Sequence, residues 1–509
     1  MPHPLKILLA TGADDAPAIS APARAPLSFA ALRTLIGDTI DALNRLGIGR
    51  NDRVAIVLQN GPEMATCFIA CASGVASAPL NPAYRADEFE FYLGDLGAKA
   101  LIVERGSASP AIDVATKLSV RIIDLVAGTE AGRFTLAPRD TFETKPASDG
   151  GYAEPDDVSM VLHTSGTTSR PKIVPLSQAN LAASATNIRD TLKFTADDCG
   201  LNIMPLFHIH GLIAGVLAPL AAGSKVFCTP GFNALKFFAW MDEAHPTWYT
   251  AVPTMHQTIV ARAARGAESA AIIARHPLRF VRSSSSSMPP HVIVELEAVF
   301  GAPLIEAYGM TEATHQMASN PLPPAARKPG TVGIAAGPEI AIMDTETGAL
   351  LERGHTGEIV IRGANVTSGY ENNTKANAEA FIDGWFRTGD QGVMDADGYL
   401  SITGRLKEII NRGGEKISPR EVDEILMDHP AVAQVVCFGM PHDKLGEGVA
   451  AVVVLREGLD VTERELQTFV GTRAADYKVP KKILFMDEIP KGATGKLQRI
   501  GLAQKLGLG

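Results

Sequence analysis

Hydroxyl side chains crowd one short stretch, Thr164-Ser165-Gly166-Thr167-Thr168-Ser169, which runs on to Lys172. Hydroxyls and loose backbone N–H groups donate to phosphate oxygens, and a lysine adds a mobile positive charge. Gly166 leaves the backbone free to turn its donors inward. The chemistry this suits is the cradling of a polyphosphate. It is not a Walker A loop, because no Gly-Lys-Ser/Thr stands at the required spacing. A solvated Ser/Thr linker has the same composition, so the stretch alone leaves both readings open.

Other stretches carry chemistry further along: Pro205-Leu-Phe-His208, Glu306-Ala-Tyr-Gly-Met-Thr-Glu312, Gly384-Trp-Phe-Arg-Thr-Gly-Asp390, Gly404-Arg-Leu-Lys407 and Pro490-Lys-Gly-Ala-Thr-Gly-Lys496. With the Thr164–Lys172 loop, and in this order, they resemble the adenylate-forming superfamily of acyl-CoA synthetases, peptide-synthetase adenylation domains and beetle luciferases. Two positions depart from that pattern, Ser169 and Ile173, where glycine is usual. Finer likeness, through Ser169, His208-Ile-His-Gly211, Trp248-Tyr-Thr-Ala-Val-Pro-Thr254 and Thr311-Glu-Ala-Thr-His315, is to the oxalate–CoA ligases.

The resemblance implies ATP, Mg²⁺ and coenzyme A as the small molecules used with a carboxylic acid. It implies that Thr164, Ser165, Gly166, Thr167, Thr168 and Lys172 hold phosphates, and that Glu306, Ala307 and Tyr308 bind the nucleotide. Thr311 would donate to the α-phosphate and Glu312 would supply a hard oxygen to Mg²⁺. Asp390 and Arg405 flank a stretch that reads as a hairpin turning at Asp395-Ala-Asp-Gly398; Asp390 would accept from the ribose hydroxyls, with Arg405 assisting. Lys496 would neutralise charge at the α-phosphate, and His208 would stand at a gate between acid and coenzyme A. Lys407 would be a hinge, bringing Gly413 and Gly414 to the thiol for the second step.

The acid is read from polarity. The run Ser283–Ser287 stands where the family carries a Gly-Ala-Ala-Pro-like segment, and serines make a poor wall for a fatty chain. His210, Ser285 and His315 are expected to converge on the far carboxylate of a small diacid, oxalate first. A nearby carboxylate would favour protonation of both histidines. Malonate, another short- or medium-chain acid or an aryl acid stays open, as does a stand-alone adenylation module loading a carrier protein. Retention of Lys172, Glu312, Asp390, Arg405 and Lys496 argues against a non-catalytic relative.

The elements that must position these groups follow from length and pattern. A chain of 509 residues needs more than one core. The expected fold is α/β: a large N-terminal domain, 1–406, of α/β subdomains plus, by resemblance, a distorted β-barrel, and a small mobile α+β domain, 407–509. Leu27–Gly47 and Pro62–Ala72 read as helices; Val54–Leu58, Ala100–Val103 and Val120–Leu125 read as strands. Ser418-Pro-Arg-Glu421 and Thr462-Glu-Arg-Glu465 both read as capping boxes, with Ile417 and Val422 as a hydrophobic staple. A net charge of −9 argues against a nucleic-acid or anionic-membrane partner. The five scattered cysteines give no disulfide framework, and no apolar run is long enough to span a bilayer, so a cytoplasmic protein is expected.

Overall fold

The computed structural model describes residues 3–139, 145–164, 171–264, 266–490 and 499–509. Ser165, Gly166, Thr167, Thr168 and Lys496 lie outside the described residues. The chain divides into two compact units. The first is 1–164, 173–339 and 362–378; the second is 165–172, 340–361 and 379–509.

Two sheets build the first unit. The strands Lys225–Cys228, Cys199–Asn202, Trp248–Ala251, Phe280–Ser283 and Leu304–Met310 lie side by side, all parallel. His315–Ser319 then returns antiparallel against Leu304–Met310. The second sheet sets Arg121–Ala127, Ala100–Glu104, Arg53–Val57, Ala76–Pro79 and Val158–His163 parallel, with antiparallel strands at both edges. The expected helix from Leu27 starts two residues later, at Phe29. Leu27 and Ser28 belong to a strand, and the Ser28 hydroxyl caps the helix by accepting from Ala31 N.

Parallel strands need both faces covered, and here the faces differ. Tyr249, Val281 and Leu304 join an apolar core with Phe237, Ile259, Leu296 and Phe300 from covering helices. Register places Asn202, Thr250, Arg282 and Ile305 in one row, facing the other way from that core. The segment His210–Leu217 coils as a π-helix with every residue buried. Gly211 sits inside this helix, where a Cβ would meet the Pro205 carbonyl oxygen at 2.3 Å. After His210 the stretch GLIAGVL is all apolar and has no solvent face, which is why it is buried all round.

The second unit holds a six-stranded sheet containing the hairpin Trp385–Met394/Leu400–Arg405, turned at Asp395–Gly398 as expected. It also holds a five-stranded sheet built around Val432–His442 and Gly446–Leu455. Helices Pro419–Met427 and Glu463–Gly471 pack Val422, Leu426, Leu466 and Val470 on that sheet with Ile417. The two expected capping boxes part company. Thr462 accepts from Glu465 N and Glu465 reaches back to Thr462 N. Ser418 caps nothing; its hydroxyl donates to the Thr403 carbonyl, so that box is not formed. Among the described residues no helix is long and apolar enough to cross a membrane, and all five cysteines are buried free thiols.

Candidate active site

Ligands of open parallel sheets bind beyond the carboxyl ends of the strands. That edge of the first unit carries Thr250, Arg282, Ser283 and Glu306 in neighbouring strands. His210, from the π-helix, and His315, from the antiparallel return, meet there with rings stacked at 4.8 Å and 17°. His210 Nδ1 lies 3.1 Å from Ser285 Oγ, and His210 Nε2 lies 2.7 Å from Thr250 Oγ1. The structure therefore brings His210, Ser285 and His315 together. His210 and His315 are buried, while Ser285 is half-buried beyond the buried Ser283 and Ser284.

Two backbone positions here are unusual. Ser285 has φ 76° and His315 φ 95°, in the left-handed region that non-glycine residues avoid. His315 follows the turn Thr311–Ala313, and its carbonyl presses so close to Gly309 that a Cβ there would stand 1.8 Å from it. Strain of this kind persists only where the surroundings over-determine it, and it gathers at functional sites.

The sequence reading missed Arg282. It is fully buried, yet among the described residues it forms no ion pair, and its Nε atom has no partner. Nη1 lies 3.3 Å from His210 Nε2 and Nη2 donates to Gln316 Oε1 at 3.3 Å. Burial pulls its pKa down to about 9. A buried cation without a carboxylate is costly to keep. The signal available in the sequence was an arginine inside an otherwise apolar strand, Phe280-Val-Arg-Ser283.

Glu312 is buried and its Oε1 accepts from the Tyr370 hydroxyl at 2.8 Å, while its backbone oxygen accepts from Thr367 N. Tyr370 is a second residue the sequence reading passed over. It steers a carboxylate whose oxygens are of the hard kind Mg²⁺ prefers. Thr311 is half-buried in the same turn, and Tyr308 is buried beside it. Glu306 accepts from Gly330 N, and the Ala307 carbonyl accepts from Ser284 Oγ. His208 is half-buried against Phe207. Thr164 closes the described part of its strand, next to His163, whose Nε2 lies 3.0 Å from Asp95.

In the second unit Arg405 Nε donates to Asp390 Oδ1 at 2.9 Å across the hairpin, and the two are register partners. Lys407 is exposed in the short helical turn Leu406–Glu408. Gly413 and Gly414 form the turn between Ile410–Arg412 and Glu415–Ile417, with φ of 62° and 100°. Positive φ at both positions of a two-residue hairpin turn is reason enough for glycine.

Residues 9–371 match the AMP-binding enzyme family, and residues 421–496 match the AMP-binding enzyme C-terminal domain. The chain is 45% identical to an oxalate–CoA ligase of Arabidopsis thaliana over 496 residues, covering 96% of this chain and 95% of that one. It is 41% identical to an oxalate–CoA ligase of Saccharomyces cerevisiae, covering 89% and 87%. The crystal structure of ATP-bound MatB from Rhodopseudomonas palustris superposes with a TM-score of 0.87 at 29% identity, covering 99% of both chains. With the family matched over most of its length and the motifs in order, this chain belongs to the AMP-binding enzymes, the adenylate-forming superfamily.

Proposed function

We propose that the protein is an AMP-forming acyl-CoA ligase whose acid is oxalate. One oxalate carboxylate attacks the α-phosphorus of ATP, and the bond to pyrophosphate breaks, giving oxalyl-adenylate. The thiolate of coenzyme A then attacks the acyl carbon, and AMP leaves with the electron pair of the C–O bond.

The first step brings an anion to an anion, so it needs positive charge where negative charge develops. Lys496 supplies it in this reading, with Thr164, Lys172 and the hydroxyls between them on the pyrophosphate side. Tyr308 stacks on adenine, Glu306 and Ala307 line the nucleotide, Thr311 donates to the α-phosphate, and Asp390 with Arg405 takes the ribose. Glu312, oriented by Tyr370, would hold Mg²⁺, whose charge would offset that of the phosphates. Lys407 divides 1–406 from a mobile 407–509 in this scheme, His208 gates the acid, and Gly413 and Gly414 let the backbone approach the thiol. Buried free thiols fit a reducing cytoplasm.

The observation that carries the choice of acid is the buried Arg282, with no carboxylate partner among the described residues, behind His210 and Ser285. A monocarboxylate spends its only charge at the reacting end. A diacid brings a second charge that the protein must match. The oxalate–CoA ligase relatives favour the smallest diacid. Pyrophosphate release measured with oxalate, malonate, butyrate and benzoate, with and without coenzyme A, tests this. Oxalate is expected to give the highest kcat/KM and to yield a thioester only when coenzyme A is present. Equal turnover of butyrate, or acyl transfer to a carrier protein but not to coenzyme A, overturns it.

A further inference from the structure

Arginine has only donors, so the nitrogen it faces must accept. Arg282 Nη1 faces His210 Nε2 at 3.3 Å. A proton on that nitrogen would set N–H against N–H, and an imidazolium would add like charge against like charge in a site with little water. The ring proton of His210 therefore belongs on Nδ1, and the Thr250 hydroxyl, 2.7 Å from Nε2, is a second donor to it. This differs from the sequence expectation that a nearby carboxylate protonates both histidines. The stacking of His315 on His210 works in the same direction, because two imidazoliums at 4.8 Å would repel.

The guanidinium has little freedom to turn. Gln316 Nε2 donates to the Ala336 carbonyl and to Thr191 Oγ1, which leaves Oε1 to receive Arg282 Nη2. On the other side of the ring, Nδ1–H meets Ser285 Oγ at 3.1 Å. A serine oxygen that accepts from histidine keeps its own hydrogen for another acceptor. Ser285 is the half-buried member of this series, held at a left-handed φ that points to a site the fold goes out of its way to keep.

We propose that Arg282 is a positioning residue which holds His210 as the neutral Nδ1–H tautomer, so that the Ser285 hydroxyl is turned to donate to the distal carboxylate of the acid. This rests on the diacid reading given above. Donors point one way along the series, from the Gln316-held guanidinium through imidazole and hydroxyl to the substrate. A serine that donates, in place of one that accepts, selects an anionic oxygen over a C–H terminus.

The test joins NMR and kinetics on the full chain. With ¹⁵N-labelled histidine, and His210 assigned through His210→Gln, the wild-type protein near neutral pH is expected to show an unprotonated Nε2 and a protonated Nδ1. Arg282→Lys should keep that signature, and Arg282→Met should lose it. In steady state, Arg282→Met and Ser285→Ala should each lower kcat/KM for oxalate about thirtyfold or more while leaving the KM for ATP within about twofold. The double variant should be no worse than the poorer single, since both break one series. A wild-type His210 that is an imidazolium or carries its proton on Nε2 overturns the proposal, as do losses that multiply in the double variant. Should Arg282→Met fail to fold, Thr250→Val with Arg282→Lys carries the same NMR comparison. If the wild type does not use oxalate, the diacid reading falls, while the tautomer is still decided by the spectrum.

Discussion

Two arginines of this protein, one half-buried and one fully buried, keep opposite company. Arg499, in the second unit, lies 2.6 Å from Asp423 and 3.1 Å from Glu408, and donates to the Cys437 carbonyl. Burial lowers its pKa, but the two carboxylates outweigh that and the net direction is up. Arg282, in the first unit, has no such partner among the described residues, and burial brings it down to about 9. The Arg499 cluster is closed: its cation meets two carboxylates from within the chain. The Arg282 cluster is open by one negative charge. The contrast separates a structural ion pair from a site arranged for a ligand.

The largest expected effect breaks the closed cluster. Arg499→Met leaves Asp423 buried with no counter-charge; burial already holds that carboxyl above its usual range despite Arg499. Denaturant unfolding is expected to show a loss of about 3–5 kcal/mol in the C-terminal sheet. A loss below about 1 kcal/mol would mean the cluster is not closed in the sense described.

The same change at Arg282 should go the other way. Removing an unmatched buried cation from the unliganded protein is expected to leave stability unchanged or raise it by about 1–2 kcal/mol. Thermal unfolding without substrate checks this. A loss as large as that of Arg499→Met would mean the free protein already matches the charge.

A pH effect lies beneath Arg282. His256 is fully buried, with Nε2 3.2 Å from the Arg282 carbonyl and Nδ1 3.2 Å from the Tyr249 hydroxyl. Burial lowers its pKa from 6.5 to about 3. The folded state keeps it neutral, so the unfolded chain takes up the proton first as pH falls. Its contribution is complete above 6.5 and is lost as pH falls toward 3, with a slope of up to about 1.4 kcal/mol per pH unit. Unfolding free energies of wild type and His256→Gln at pH 7, 6, 5 and 4 should converge as the acid is added. Parallel curves would show that His256 titrates normally.

The smallest effect belongs to an arginine that is neither closed in nor open. Arg405 is 52% exposed and meets Asp390 at 2.9 Å. Arg405→Ala is expected to cost less than about 1 kcal/mol of stability, because the exposed guanidinium is screened by water. Its effect should fall on the KM for ATP instead. A stability loss to match Arg499→Met would move Arg405 into the structural class.

Local chemistry was legible before any fold was known. The Thr462–Glu465 capping box formed as read, because each of its bonds spans only three residues. The identical-looking box at Ser418 did not form, because the Thr403 carbonyl, distant in sequence, took its hydroxyl. The Asp395–Gly398 turn was read correctly, since a hairpin turn is decided by its own residues. The polarity of Ser283–Ser287 was plain, but not that Ser285 would be held at a positive φ and left half-buried.

The sequence by itself determined which groups this protein owns and in what order: a hydroxyl-rich loop ending in lysine, a Thr-Glu turn, an aspartate and arginine across a hairpin, and two histidines with a serine run between them. It also determined which family it belongs to, since ordered motifs survive without coordinates. Only the tertiary structure decided that residues 210, 250, 282, 285, 315 and 316 are neighbours, and that the arginine among them has no acidic partner among the described residues. The physical reason is that parallel register and the crossing π-helix set which side chains share a face. The state of a titratable ring then depends on the one donor those long-range contacts place against it.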